Sequence, residues 1–107
     1  MKLVVIRGPA AGKVFNIEEG NNLIGRWDPE SGSFPEIDLE SEDQESKVSR
    51  KHAVVERKGS VATIEDVGSL NGTFVNRVHR LEPGHRHTLQ HGDEVIVGKT
   101  FLRFEPH

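Results

Sequence analysis

Lys51-His52-Ala53-Val54-Val55-Glu56-Arg57-Lys58-Gly59-Ser60-Val61-Ala62-Thr63-Ile64-Glu65-Asp66 reads as an antiparallel hairpin. Two β-branched runs, Lys51–Arg57 and Ser60–Asp66, flank Lys58-Gly59, a dipeptide suited to a tight turn. Working outward, the same kind of short apolar segment recurs on both sides. Upstream lie Lys2–Arg7, Lys13–Ile17, Asn22–Gly25 and a brief extended piece at Glu36–Leu39. Downstream lie Thr73–Asn76, Val78–Leu81, Arg86–Leu89, Asp93–Val97 and Thr100–Glu105. Turn residues such as Gly8-Pro9-Ala10-Ala11-Gly12 separate them. No helical period competes. Many short strands at near-regular spacing predict a β-sandwich or barrel.

Composition agrees. Val and Ile outnumber Leu, Ala and Met together, which favours strands. The 107 residues suit one small domain, taken here as residues 1–107. With no Cys there is neither a disulfide framework nor a thiolate zinc site. No apolar run is long enough to span a bilayer, and Met1–Arg7 is too short an apolar stretch for a signal peptide. The expectation is a cytoplasmic domain without membrane insertion.

The formal net charge of −3 argues against nucleic acid as a general partner. Its distribution is uneven. Trp27–Ser46 holds Asp28, Glu30, Glu36, Asp38, Glu40, Glu42, Asp43 and Glu45 with no Lys or Arg, so the remainder is net basic. The plain expectation for this stretch is a solvated loop; the sharper one is a segment that shapes the field beside a basic binding surface.

Several enzyme-like patterns fail on their spacing. Gly8–Lys13 has three residues between its glycines and Val14 after the lysine, where a phosphate loop needs four and then Ser or Thr. Asn71-Gly72-Thr73 matches a glycosylation sequon but reads better as a tight turn. His79, His85, His87 and His91 cluster, with His85 and His87 on one face of a strand, yet no Cys or suitably spaced carboxylate joins them. Ser49, His52 and Asp66 could be imagined as a hydrolytic triad, but no nucleophile elbow surrounds Ser49. Neither a metal, a cofactor nor a catalytic set is expected.

What remains is a set of groups suited to an anion on a peptide. Arg26 offers a planar fork of donors, Ser49 a hydroxyl, Arg50 a second cation, and Asn71 an amide able to grip a peptide main chain. In order, Gly25-Arg26, Ser49-Arg50-Lys51-His52 and Ser69-Leu70-Asn71-Gly72-Thr73-Phe74-Val75-Asn76 make the chain resemble the forkhead-associated (FHA) family, in its bacterial form.

The resemblance implies an all-β sandwich of about eleven strands in two sheets. It implies binding of phosphothreonine peptides through loops at one end, in Ser/Thr-kinase signalling. Arg26 and Ser49 would contact the phosphate, Arg50 would flank it or the peptide backbone, and Asn71 would hold the peptide main chain. Gly25, His52, Gly72 and Thr73 would support the loops. Many members carry Ser or Thr where this chain has Leu70, so binding there would lean on backbone N–H groups. Thr63, Thr73, Thr88 and Thr100 all sit in or beside expected strands, so the phosphorylated residue is expected on another protein, met in trans by a monomer. The alternative is a phosphate-independent interaction module on the same sandwich, supported by the departure at Leu70.

Overall fold

A computed structural model describes residues 1–107. The central hairpin forms, as β5 (Lys51–Lys58) and β6 (Val61–Asp66), in register from Ala53 opposite Asp66 to Lys58 opposite Val61. The tight turn is Gly59-Ser60 rather than Lys58-Gly59, because Lys58 pairs with Val61 and Gly59 takes a φ of 61°. Ahead of it run β1 (Lys2–Val5), β2 (Val14–Asn16), β3 (Gly20–Gly25) and β4 (Ile37–Asp38). After it come β7 (Thr73–Val75), β8 (His79–Arg80), β9 (His87–Thr88), β10 (Glu94–Val97) and β11 (Thr100–Glu105). They form a six-stranded sheet, β2-β1-β11-β10-β7-β8, and a five-stranded sheet, β4-β3-β5-β6-β9. The chain is an all-β sandwich of eleven strands.

Alternation supplies the core. Ala53 and Val55 of β5 and Ala62 and Ile64 of β6 turn inward, as do Val95 and Val97 of β10 and Leu102 and Phe104 of β11. These belong to one cluster of 18 buried apolar residues. Full burial of a Leu, Ile or Phe contributes about 1.5–3 kcal/mol, which is why strands this short hold together.

Several strands are shorter than their sequence reading. Val78–Leu81 shrinks to His79–Arg80 because Asn76 and Arg77 take φ of 54° and 67° and turn the chain tightly. Glu40–Glu42 winds into a 3₁₀ turn, an element the sequence reading lacks.

In the acidic stretch the extended piece expected at Glu36–Leu39 is present, shortened to Ile37–Asp38, but the expectation of a solvated loop around it needs correcting. Its β4 pairs in parallel with β3, Ile24 opposite Ile37 and Gly25 opposite Asp38. That pairing draws the stretch onto the sheet edge and buries Ser33, Ile37, Leu39 and Asp43.

One irregularity positions the site. Between Ile24 and Gly25 the β3–β5 register jumps, Ile24 facing Ala53 but Gly25 facing Lys51. His52 is the unopposed residue of this β-bulge. Alternation therefore breaks, and both His52 and Ala53 are fully buried.

Candidate functional site

Three loops meet at one end of the sandwich: 25–28 after β3, 47–50 before β5, and 66–73 between β6 and β7. The first two touch through the backbone. The Arg26 N–H donates to the Arg50 carbonyl at 3.1 Å. A Cβ on Gly25 would lie 1.8 Å from that same carbonyl oxygen, so only glycine lets the strands approach this closely.

Arg26 is fixed at its inner end and open at its outer one. Its Nε donates to the Val48 carbonyl at 2.6 Å and lies 3.7 Å from Asp43 Oδ2. Its terminal nitrogens make no hydrogen bond to the protein. Asp43 is buried and also accepts the N–H groups of Lys47 (2.7 Å) and Val48 (3.0 Å). One carboxylate thus shapes the 43–48 turn and orients the guanidinium.

Ser49 links the second loop to the third. Its hydroxyl oxygen accepts the Leu70 N–H at 3.1 Å, and its own N–H donates to His52 Nδ1 at 3.0 Å. His52 Nε2 then donates to the Gly72 carbonyl at 2.8 Å, which assigns the proton to Nε2. Burial holds the imidazole below its ordinary 6.5, outweighing its contacts with Gly72 and the neighbouring acids. Both ring nitrogens are spent on the backbone, so no Ser49–His52–Asp66 triad is assembled.

Asp66 governs the third loop. Its carboxylate accepts the N–H groups of Gly68 and Ser69, the Ser69 hydroxyl and the buried Thr73 hydroxyl. Burial works to raise its pKa, but these four donors outweigh it and the net direction is down. The Ser69 oxygen in turn accepts the Gly72 N–H at 2.9 Å. Gly72 sits at φ +87°, a conformation other residues rarely adopt. Asn71 Nδ2 reaches back to the Lys47 carbonyl at 2.9 Å. Leu70 projects into solvent, 84% exposed, and offers only its backbone to Ser49.

Of the residues singled out in the sequence, Arg26, Ser49, Leu70 and Asn71 therefore lie on loops bonded to one another, over Gly25, His52, Gly72 and Thr73. Arg50 is turned aside: its Nε lies 2.6 Å from Asp28 Oδ2. The Asp28 carboxyl sits below its ordinary value: desolvation, the largest single influence, pushes it up, but the Ser31 hydroxyl, the Arg50 charge and the amides of Glu30 and Ser31 together outweigh it. Sequence reasoning missed Asp43, Asp66 and Ser69 as the loops' organisers. The signal available for Asp66 was its position just before Gly68-Ser69, where an aspartate can accept amides two and three residues on. Elsewhere, His79 and His87 face each other with ring centroids 5.5 Å apart, while His85 lies in the turn before β9.

The FHA-domain family model matches residues 22–98. The chain belongs to the FHA family. An oxoglutarate dehydrogenase inhibitor from Corynebacterium jeikeium is 41% identical over 102 residues, covering 95% of this chain and 62% of the relative. The glycogen accumulation regulator GarA of Mycolicibacterium smegmatis is also 41% identical, over 95% of this chain and 56% of its own. This FHA chain thus spans about three fifths of the length of the curated relatives it matches. An FHA structure from a study of phosphothreonine-dependent interactions superposes with a TM-score of 0.76 at 29% identity, covering 99% of this chain and 95% of that one. The FhaA FHA domain, solved in complex with the intracellular domain of a second protein, gives 0.75 at 28% identity, over 95% and 96%. No helix in the FHA domain is long and apolar enough to cross a membrane.

Proposed function

We infer that this FHA domain is a non-catalytic module that captures a phosphothreonine-bearing segment of a partner protein in trans, within cytoplasmic Ser/Thr-kinase signalling. The observation that carries the reading is Arg26. Its Nε is tied to Val48 and Asp43, and its free terminal nitrogens sit beside the loop that presents Ser49. The names of the relatives, an inhibitor and a regulator, and the phosphothreonine dependence studied in a structural neighbour, support it.

A phosphothreonine at neutral pH carries about −1.5 to −2 charges and three acceptor oxygens. Arg26 meets it as a pre-oriented fork, so little side-chain entropy is lost on binding. Ser49 adds a hydroxyl donor once its oxygen has accepted the Leu70 amide. Asn71 spends its side-chain NH2 on the Lys47 carbonyl, which leaves its side-chain oxygen as the acceptor for a main-chain N–H of the ligand. Arg50 joins only after release from Asp28, so its contribution is a net exchange of one ion pair for another. Ordering a flexible peptide offsets part of the gain, giving about micromolar affinity.

Titration calorimetry with matched phosphothreonine and unphosphorylated peptides tests this. The phosphorylated peptide binds and the other does not. Arg26→Ala weakens binding by about 2–5 kcal/mol, while its melting temperature stays close to that of the parent. An unchanged dissociation constant in Arg26→Ala overturns the reading.

A further inference from the structure

The loop between Arg26 and β4 carries a surface that phosphate capture does not use. Asp28 and Ser33 form a two-bond backbone bridge, N–H to carbonyl at 2.9 and 2.8 Å, closed by the Pro29–Gly32 turn. In such a bridge the flanking residues 27 and 34 fall side by side, and here both are aromatic. Trp27 and Phe34 meet edge to face, ring centroids 4.9 Å apart and planes at 74°. They are 52% and 53% exposed, so about half of each side chain faces solvent.

The pair is held firmly. The Trp27 N–H donates to Asp38, the buried Ser33 hydroxyl donates to the Arg50 carbonyl, and Asp28 holds the Arg50 side chain. Rigid, exposed aromatic side chains adjoining a binding site are the kind of group that anchors partners, because their burial costs little conformational entropy.

The surrounding charge says what kind of partner. Along the acidic stretch, Glu42, Asp43 and Glu45 each pair with a cation: Lys13, Arg26 and Lys99. Glu30, Glu36, Asp38 and Glu40 pair with none. These four belong to the same short span as the aromatic pair. An acidic occupant would be repelled, and a purely apolar one would strip water from carboxylates that have no cation beside them, although Glu36 and Asp38 each accept backbone N–H groups. A guanidinium satisfies both features, stacking on an aromatic face and pairing with carboxylates.

We propose that the Trp27–Phe34 pair is a docking point for an arginine of the same partner segment that carries the phosphothreonine. Trp27 directly follows Arg26, so the surface begins at the edge of the phosphate site. The proposal rests on the phosphothreonine reading and adds to it a preference for a basic residue near the phosphorylated one.

The test is a set of phosphothreonine peptides in which arginine is placed in turn at each of several positions on both sides of the phosphoresidue, over an all-alanine background. Each is titrated against the wild type, Trp27→Ala and Phe34→Ala, with thermal melts to verify folding. At one or two positions arginine tightens binding about fivefold over alanine in the wild type. That gain falls below about twofold in Trp27→Ala, while the all-alanine peptide binds both proteins alike. Phe34→Ala gives the same pattern more weakly, and covers the case of a poorly folded Trp27→Ala. Arginine without advantage at every position, or an advantage that survives both substitutions, overturns the proposal and leaves phosphate capture standing. Failure of the all-alanine phosphopeptide to bind the wild type overturns both.

Discussion

The Asp66–Thr73 turn and the Trp27–Phe34 loop border the same site and are built in opposite ways. In the first, a carboxylate turned inward gathers four donors, and the chain around it is saturated with hydrogen bonds. In the second, the outline is set by a two-bond backbone bridge, a surface ion pair and single hydrogen bonds from Trp27 to Asp38 and from Ser33 to Arg50, and its largest side chains lie half open to water. The first turn holds the geometry in which Ser49 and Asn71 are presented. The second presents chemistry of its own. A binding end made this way separates what must not move from what is free to vary.

That contrast breaks most readily at Asp66. Asp66→Ala strands two amides and two hydroxyls in a partly buried turn, and is expected to cost about 3–4 kcal/mol of folding stability. Denaturant unfolding reads it directly, and a loss below about 1 kcal/mol would mean the turn is not held by its carboxylate.

A middle-sized effect is set by His52 beneath the same turn. Its folded pKa lies below 6.5, so the unfolded chain binds the extra proton as acidity rises. Stability therefore falls as pH drops through the ordinary imidazole value, by at most about 1.4 kcal/mol per pH unit, until the folded-state pKa is reached. His52→Gln removes that slope while lowering stability at neutral pH. Unfolding midpoints at pH 7 and 5.5 for the two proteins verify this.

The smallest effect belongs to the other loop. Asp28→Ala removes an exposed ion pair and leaves the melting temperature within about 2 °C of the parent. Because it frees Arg50, phosphopeptide affinity is expected to rise rather than fall. A large loss of stability would show that the two loops are less different than their hydrogen bonding implies.

The fold was legible because alternating β-branched runs such as Val61–Asp66 leave few other readings. The loop ends were legible because Arg26, Ser49 and Asn71 carry donors where the chain must turn. Two things were not. The acidic stretch read as solvent-facing because charge dominates its composition, whereas Ile37 and Leu39 are buried and tie it down. The pairing of Arg50, read as a second cation flanking the phosphate, with Asp28 was not legible, because Asp28 lies 22 residues earlier and no local pattern announces a pairing made only by the fold.

The bulge at His52 carries a last consequence, concerning length rather than identity. Deleting one residue between Ser49 and Ala53 would restore a regular ladder. His52 would then rotate toward solvent, and neither the Ser49 amide nor the Gly72 carbonyl would find its imidazole. The short link between Ser49 and the strand is thus a fixed ruler, intolerant of insertion or deletion. The turn at Pro29–Gly32, closed on itself by the bridge beneath it, is where the chain can gain or lose residues without disturbing the rest.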